Sequence, residues 1–227
     1  MEKLFAAYQI PLTEDAFFQL ERYGDLLRQA SEVQNLTSGT TLHEMWTRHF
    51  LDAAYILRYL PDSSKIIDIG TGGGIPGIPL AILNPSLQIT LLDSEMRKIE
   101  FCKDAVRQLS LNVQAVCARA EEFICKAGQR EAYDCAVSRA MASGSVLSEL
   151  AFPFLRTGGR LIALKGRSFS MEAERFDSAS AVLGGDPPEV TVYELEGEPK
   201  TLVTVRKSAP TPEQYPRRYA KIKRNPL

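Results

Sequence analysis

Apolar and polar positions change period several times along the chain, and each change marks an element. Phe17, Leu20, Tyr23, Leu26 and Leu27 recur at helical spacing behind Thr13 and Asp15, either of which can cap a helix ending near Gln29. After the polar turn Asn35-Leu36-Thr37-Ser38-Gly39, a second helix is expected over residues 42–59, with Trp46, Phe50, Ala53, Ala54 and Leu57 on its apolar side. Pro61-Asp62-Ser63-Ser64 is the linker into the first strand. The period then shortens. Ile66, Ile67 and Ile69 form a β-branched run suited to a strand buried on both faces, and Gln88–Asp93 is a second strand. Ser94 or Glu95 opens a helix carrying Ile99, Cys102, Val106 and Leu109 that ends near Ser110. Val113–Cys117, Tyr133–Arg139 and residues 160–166 are the third to fifth strands; a helix over 147–155 and a turn at Thr157-Gly158-Gly159 precede the last. Residues 169–181 have helical character. Glu189–Leu195 and residues 201–205, joined by 196–200, read as a hairpin. The pattern predicts an α/β protein: an N-terminal helical cap (1–62), a core (63–207) and a C-terminal tail (208–227).

The stretch between the first two strands carries the candidate chemistry. Gly70, Gly72, Gly73, Gly74 and Gly77 permit positive φ and close approach of a ligand to the backbone. Pro76 and Pro79 are tolerated in a helix's first turn, so a helix N-terminus points at the loop and offers free N–H groups to a phosphate or carboxylate. Asp93, closing the second strand, is placed to accept hydrogen bonds from the two hydroxyls of a ribose. This βαβ unit suits an adenosine-bearing cofactor, and by itself it leaves NAD and S-adenosylmethionine open. The terminal hairpin weighs between them. Dinucleotide-binding sheets usually continue as parallel βα units, whereas the sheet of S-adenosylmethionine-dependent methyltransferases ends in an antiparallel hairpin.

Composition narrows the class. A chain of 227 residues with 44% hydrophobic content can bury a sizeable core. Residues 69–92 carry no charge, but five glycines and three prolines exclude a membrane span, and the start of the chain lacks a secretory pattern. Cys102, Cys117, Cys125 and Cys135 are spaced by 15, 8 and 10 positions without a C-x-x-C pair, so neither a metal site nor a disulfide framework is expected, and reduced thiols fit a cytoplasmic protein. The net charge of −1 hides an asymmetry: residues 200–227 hold eight basic side chains against Glu213, a net of +7 on a body of −8. Such a tail is either an element that meets a polyanion or a solvated terminus.

An ordered set of motifs resembles one family. It comprises Asn35-Leu36-Thr37, Arg48-His49-Phe50-Leu51-Asp52, Asp68-Ile69-Gly70-Thr71-Gly72, Ile75-Pro76-Gly77-Ile78-Pro79-Leu80, Leu91-Leu92-Asp93-Ser94, Ala120-Glu121, Ser138-Arg139-Ala140, Lys165-Gly166, and Tyr215-Pro216-Arg217-Arg218 through Pro226-Leu227. Together they resemble the bacterial small-subunit (16S) ribosomal RNA guanine-N7 methyltransferases, also called the glucose-inhibited division protein B family. The resemblance runs from Asn35 to the C-terminus. It implies a Rossmann-like methyltransferase sheet and S-adenosyl-L-methionine contacts at Gly70, Ile75, Ala120, Glu121 and Arg139, beside the loop positions Gly72 and Gly74 and the ribose acid Asp93. Gly74 departs from the proline that many members carry there or close by, which concerns loop stiffness. The implied partner is 16S ribosomal RNA or the small subunit, met by a cytoplasmic monomer without a membrane anchor.

Guanine N7 has a free lone pair and needs no deprotonation, so the resemblance calls for alignment rather than a general base, and no catalytic residue is assigned. The Ser138-Arg139-Ala140-Met141 segment lacks the Asn/Asp-Pro-Pro-aromatic pattern of amine methylation, and none of the four cysteines follows a proline. Arg139 is open between the cofactor's carboxylate, an RNA phosphate and a neighbouring acid. Arg48, His49, Lys165, Arg217, Arg218, Lys221 and Lys223 are candidates for RNA, with a surface ion pair the alternative for His49 and simple exposure for Lys165. The tail is expected to grip RNA without forming the cofactor site. The rival functions are a nicotinamide-dependent reductase and a non-catalytic RNA-binding assembly factor.

Overall fold

The computed structural model describes residues 1–34, 36, 41–139, 143–165 and 173–227. Asn35, Thr37, Ser38, Gly39, Ala140, Met141, Gly166 and the expected helical start at 169–172 lie outside the described residues. The chain opens with α1 (Glu2–Ala7) and α2 (Glu14–Gln34). Thr13 caps α2, its hydroxyl accepting the Ala16 N–H at 3.2 Å. The helix runs past the expected end at Gln29 because residues 29–34 contain neither glycine nor proline.

The helix expected over 42–59 is four pieces: α3 (Leu42–Glu44), a π-helical turn (Met45–Phe50), α4 (Leu51–Tyr55) and a 3₁₀ turn (Ile56–Tyr59). Thr41 and Glu44 form a reciprocal capping box at its start. The wider turn lets Trp46 stack on Phe17, with centroids 5.2 Å apart, while meeting Phe5 and Phe50 edge-on.

The sheet consists of β1 (Lys65–Ile69), β2 (Gln88–Asp93), β3 (Val113–Cys117), β4 (Tyr133–Arg139), β5 (Leu155–Lys165), β6 (Glu189–Leu195) and β7 (Glu198–Arg206). Its order is β3-β2-β1-β4-β5-β7-β6. The first five strands are parallel; β7 runs antiparallel between β5 and β6. The order reverses between β1 and β4, the position where open α/β sheets leave a crevice beyond their carboxyl ends. Two local expectations change. The turn at 157–159 is a bulge within β5, the pairing jumping from Tyr133↔Leu155 to Cys135↔Arg160. The hairpin turn is only Glu196-Gly197, both at positive φ, so β7 begins at Glu198.

Side-chain alternation sorts the core into two halves. On one face Ile66, Leu91, Val137 and Ile162 pack with the cap, α5 (Gly77–Leu83) and α6 (Met96–Gln108). On the other, Ile67, Ile69, Ala136 and Leu161 pack with α7 (Ala120–Phe123), α8 (Gly144–Ala151), α9 (Ala173–Val182) and Ile222 of α10 (Tyr219–Arg224). The tail therefore folds back onto the core. Among the described residues no helix is long and apolar enough to cross a membrane.

Candidate functional site

Asp68, wholly buried on β1, ties the two ends of the glycine loop together. Its Oδ2 accepts the Thr71 hydroxyl at 2.6 Å and the Gly77 N–H at 2.9 Å. Burial pushes its pKa up to about 7 against these two bonds, and its Oδ1 has no partner among the described residues. A Cβ at Gly77 would strike Leu91 and crowd Asp68 Oδ2, so glycine is required for the close approach. From the cap, Tyr23 donates its buried hydroxyl to the Gly73 carbonyl at 2.6 Å. The helical pattern does not reveal this contact, because it shows Tyr23 facing inward without showing what its tip meets.

Beside the loop, at the carboxyl ends of β1 and β2, lies a cavity of about 550 Å³ including its mouth. Gly70, Asp93, Ala120 and Glu121 line it, joined by Leu150 of α8 and Tyr219 of α10. Asp93 Oδ2 accepts the Gly72 N–H and Oδ1 accepts the Glu95 N–H, each at 3.0 Å. Each oxygen keeps acceptor capacity for a further donor from the cavity. Gly72, Gly74, Ile75 and Arg139 do not line this cavity; the first three form the turn of the loop, with Gly72 and Gly74 at positive φ. The expectation that the tail stays out of this site is corrected by Tyr219, whose ring is reached by the Arg119 guanidinium at 5.4 Å. A tyrosine in a basic tail gives no signal of its own.

Arg139 ends β4 in a second cluster. Its Nη1 donates to the Arg48 carbonyl at 3.0 Å and to His49 Nδ1 at 2.7 Å. Because guanidinium has no acceptor, His49 must be neutral with its proton on Nε2. Burial, then the Arg139 charge, hold its pKa down to about 4. A partly buried contact thus takes the place of a surface ion pair at His49, since the π-helical turn carries the ring toward β4. Asp52 instead accepts the Tyr193 hydroxyl at 2.7 Å, and burial raises its pKa. Arg48 pairs with Glu44 at 3.2 Å. Burial raises the Cys102 thiol and lifts Cys135 to about 12, so neither is a ready thiolate.

The tail's cations separate into two groups. Arg217, expected to meet RNA, is committed elsewhere: its backbone N–H, Nε and Nη2 all donate to the fully buried Glu149 carboxylate on α8, at 2.9, 2.7 and 2.5 Å. Lys207, counted in the basic excess, is also fully buried, giving its three protons to Glu131 Oε1, Phe152 O and Leu155 O. Arg218, Lys221, Lys223 and Arg224 are exposed. Lys165 is partly buried at the end of β5, on the same sheet edge as Arg139.

A parallel sheet with a terminal antiparallel hairpin, a glycine loop after β1 and an acid closing β2 defines the Rossmann-like S-adenosylmethionine-dependent methyltransferases. Solved structures share this fold: an O-methyltransferase from Bacillus cereus in complex with S-adenosylhomocysteine aligns with a TM-score of 0.61 at 16% identity, over 91% of this chain and 96% of that one. Residues 17–200 match the family model described as rRNA small subunit methyltransferase G. The protein of that name from Clostridium novyi (strain NT) is 37% identical over 223 residues, 96% of this chain and 92% of the relative. That from Bacillus cereus (strain AH187) is 40% identical over 215 residues, 92% and 90%. The chain belongs to the rRNA small subunit methyltransferase G family.

Proposed function

We propose that the chain transfers the methyl group of S-adenosylmethionine to N7 of a guanine in small-subunit ribosomal RNA. The observation that carries this reading is the pairing of a cavity at the carboxyl ends of β1 and β2, lined by Asp93 and Tyr219, with a neighbouring cluster whose histidine is held neutral and hydrogen-bonded to an arginine. Such a cluster suits an acceptor nitrogen that already has its lone pair.

The residues present fit the cofactor. Asp93, which lines the cavity, offers acceptors for the ribose hydroxyls. Gly70, Gly72, Gly74 and Ile75 would supply the backbone cradle, Ala120 and Glu121 the adenine side, and Arg139 a counter-charge to the carboxylate end. When bound, the cofactor supplies an already activated sulfonium methyl. The chain's own contribution is to hold and align; well-oriented reactants gain about 7–11 kcal/mol in favourable cases. His49, by accepting from Arg139, fixes the guanidinium's direction. Arg48, Lys165, Arg218, Lys221, Lys223 and Arg224 would contact RNA backbone around an unpaired guanine, since A-form duplex hides N7 in its deep groove. The reaction is placed in the cytoplasm, with the chain acting as a monomer.

The test is transfer from labelled S-adenosylmethionine to small-subunit RNA, followed by borohydride–aniline cleavage. Strand scission at a single guanine is expected. Label incorporation without scission would place the methyl on another atom, and no incorporation by a chain that binds the cofactor would favour a binding role.

A further inference from the structure

The tail is tied to the cofactor cavity by a continuous set of contacts. Arg130 donates to the carbonyls of Thr211, Pro212 and Tyr215 at 2.9–3.2 Å, which brings the chain back across the core. Arg217 then locks onto Glu149, and the next residue of α8, Leu150, lines the cavity. One turn later Ile222 is wholly buried while its i−3 neighbour Tyr219 lines the same cavity. The opposite side of this short helix carries the exposed Lys221 and Arg224, and Lys223, one turn after Tyr219, is exposed as well.

From this arrangement we propose that Tyr219 is a cofactor-recognition residue: its aromatic ring forms a wall of the pocket for the adenosine end of S-adenosylmethionine, with the Arg217–Glu149 pair holding it in place. The proposal rests on the cofactor reading above. The cavity that Tyr219 shares with Asp93 and Ala120 is the ribose and adenine side, and a flat π-surface is what a purine stacks against. Arg119 lines the same cavity, and its guanidinium lies 5.4 Å from the ring centroid, a cation–π contact that orients the ring. Arg139 and the turn of the glycine loop lie outside this cavity, so the ring's effect belongs to the adenosine end alone.

The experiment is calorimetric titration of the full chain with S-adenosylhomocysteine and with 5′-methylthioadenosine, which lacks the amino-acid end. Tyr219→Ala is expected to weaken both ligands by the same factor, roughly tenfold or more, as removal of one base-stacking ring does. Tyr219→Phe should remain within about twofold of wild type. Tyr219→Leu keeps apolar bulk against the core, so it should retain the wild-type melting temperature and still lose affinity. Asp93→Ala serves as the reference. If Asp93→Ala loses affinity while Tyr219→Ala and Tyr219→Leu do not, the proposal is overturned and the cofactor reading stands. A loss confined to S-adenosylhomocysteine would also overturn it, by placing the contact at the methionine end. If the wild-type chain binds neither ligand, the cofactor reading itself fails and the proposal with it.

Discussion

The two ends of the chain reach the glycine-loop edge from opposite faces of the sheet and are held by different forces. The N-terminal cap is an aromatic cluster, Phe5, Phe17, Trp46 and Phe50, that meets the loop at Gly73 through the buried Tyr23 hydroxyl and the Leu27 side chain. The C-terminal tail buries Ile222, packs Tyr215, Tyr219 and Leu227 partly against the core, and is held by charged side chains: Arg217 on Glu149 and Arg130 on three carbonyls, with the buried Lys207–Glu131 pair just before it. Apolar packing degrades gradually when a side chain is trimmed. A buried ion pair behaves differently, because removing one partner leaves the other's desolvation uncompensated.

That asymmetry makes the tail's ion pair the most costly one to break. Arg217→Ala strands the Glu149 carboxylate in the core and should destabilise the chain by about 3–5 kcal/mol in urea denaturation. Adding Glu149→Gln should restore much of the stability. If the double variant is as unstable as the single one, the tail is held by packing and the contrast between the two ends disappears.

A second effect lies on the cap face and depends on pH. Asp68 titrates near 7 in the native state against an ordinary value of 3.8, so the stability it lends is complete below about 3.8 and is lost as pH rises to about 7. His49 titrates near 4 against an ordinary 6.5; its contribution is present above about 6.5 and is lost as pH falls to about 4. The two oppose each other across one window. Relative to wild type, Asp68→Asn should make stability climb more steeply between pH 4 and 7, and His49→Gln should make it fall. Parallel curves for all three proteins would contradict these assignments.

Smaller again is Tyr23→Phe, which removes the bond to Gly73 and leaves a buried carbonyl without that donor, a cost of about 1–3 kcal/mol. Its melting temperature should drop modestly, and affinity for S-adenosylhomocysteine should fall with it if the cap steadies the loop. Replacement of Arg218, Lys221, Lys223 and Arg224 by alanine should change stability least, staying within about 0.5 kcal/mol of wild type. The log–log salt slope for single-stranded RNA should nevertheless flatten by about 0.7 for each phosphate that the variant no longer neutralises. An unchanged slope would make the exposed half of the tail a solvated surface.

The strand-loop-helix-strand unit ending at Asp93 is legible in the sequence because glycines, prolines and β-branched runs each have a local conformational meaning. The hairpin is legible for the same reason, although residue pattern alone stretches its two-residue turn to five. Long-range polar pairing stays hidden. Helical spacing shows that Tyr23 faces inward, but nothing local reveals that its hydroxyl meets a carbonyl 50 positions away. Charge counting places Lys207 and Arg217 among cations free to meet a polyanion or solvent, because composition does not distinguish a buried, paired cation from an exposed one. The π-helical turn is equally invisible, since an apolar stripe at helical spacing survives one widened turn, and with it goes the direction of His49.

If both chain ends meet at one cofactor site, binding there must be felt on both faces of the sheet. Amide hydrogen exchange with and without S-adenosylhomocysteine reads this. The ligand should slow exchange in the glycine loop, residues 70–77, and also at residues 217–222 on the far face of the sheet. Protection confined to the loop, with the tail exchanging at its ligand-free rate, would contradict a shared site.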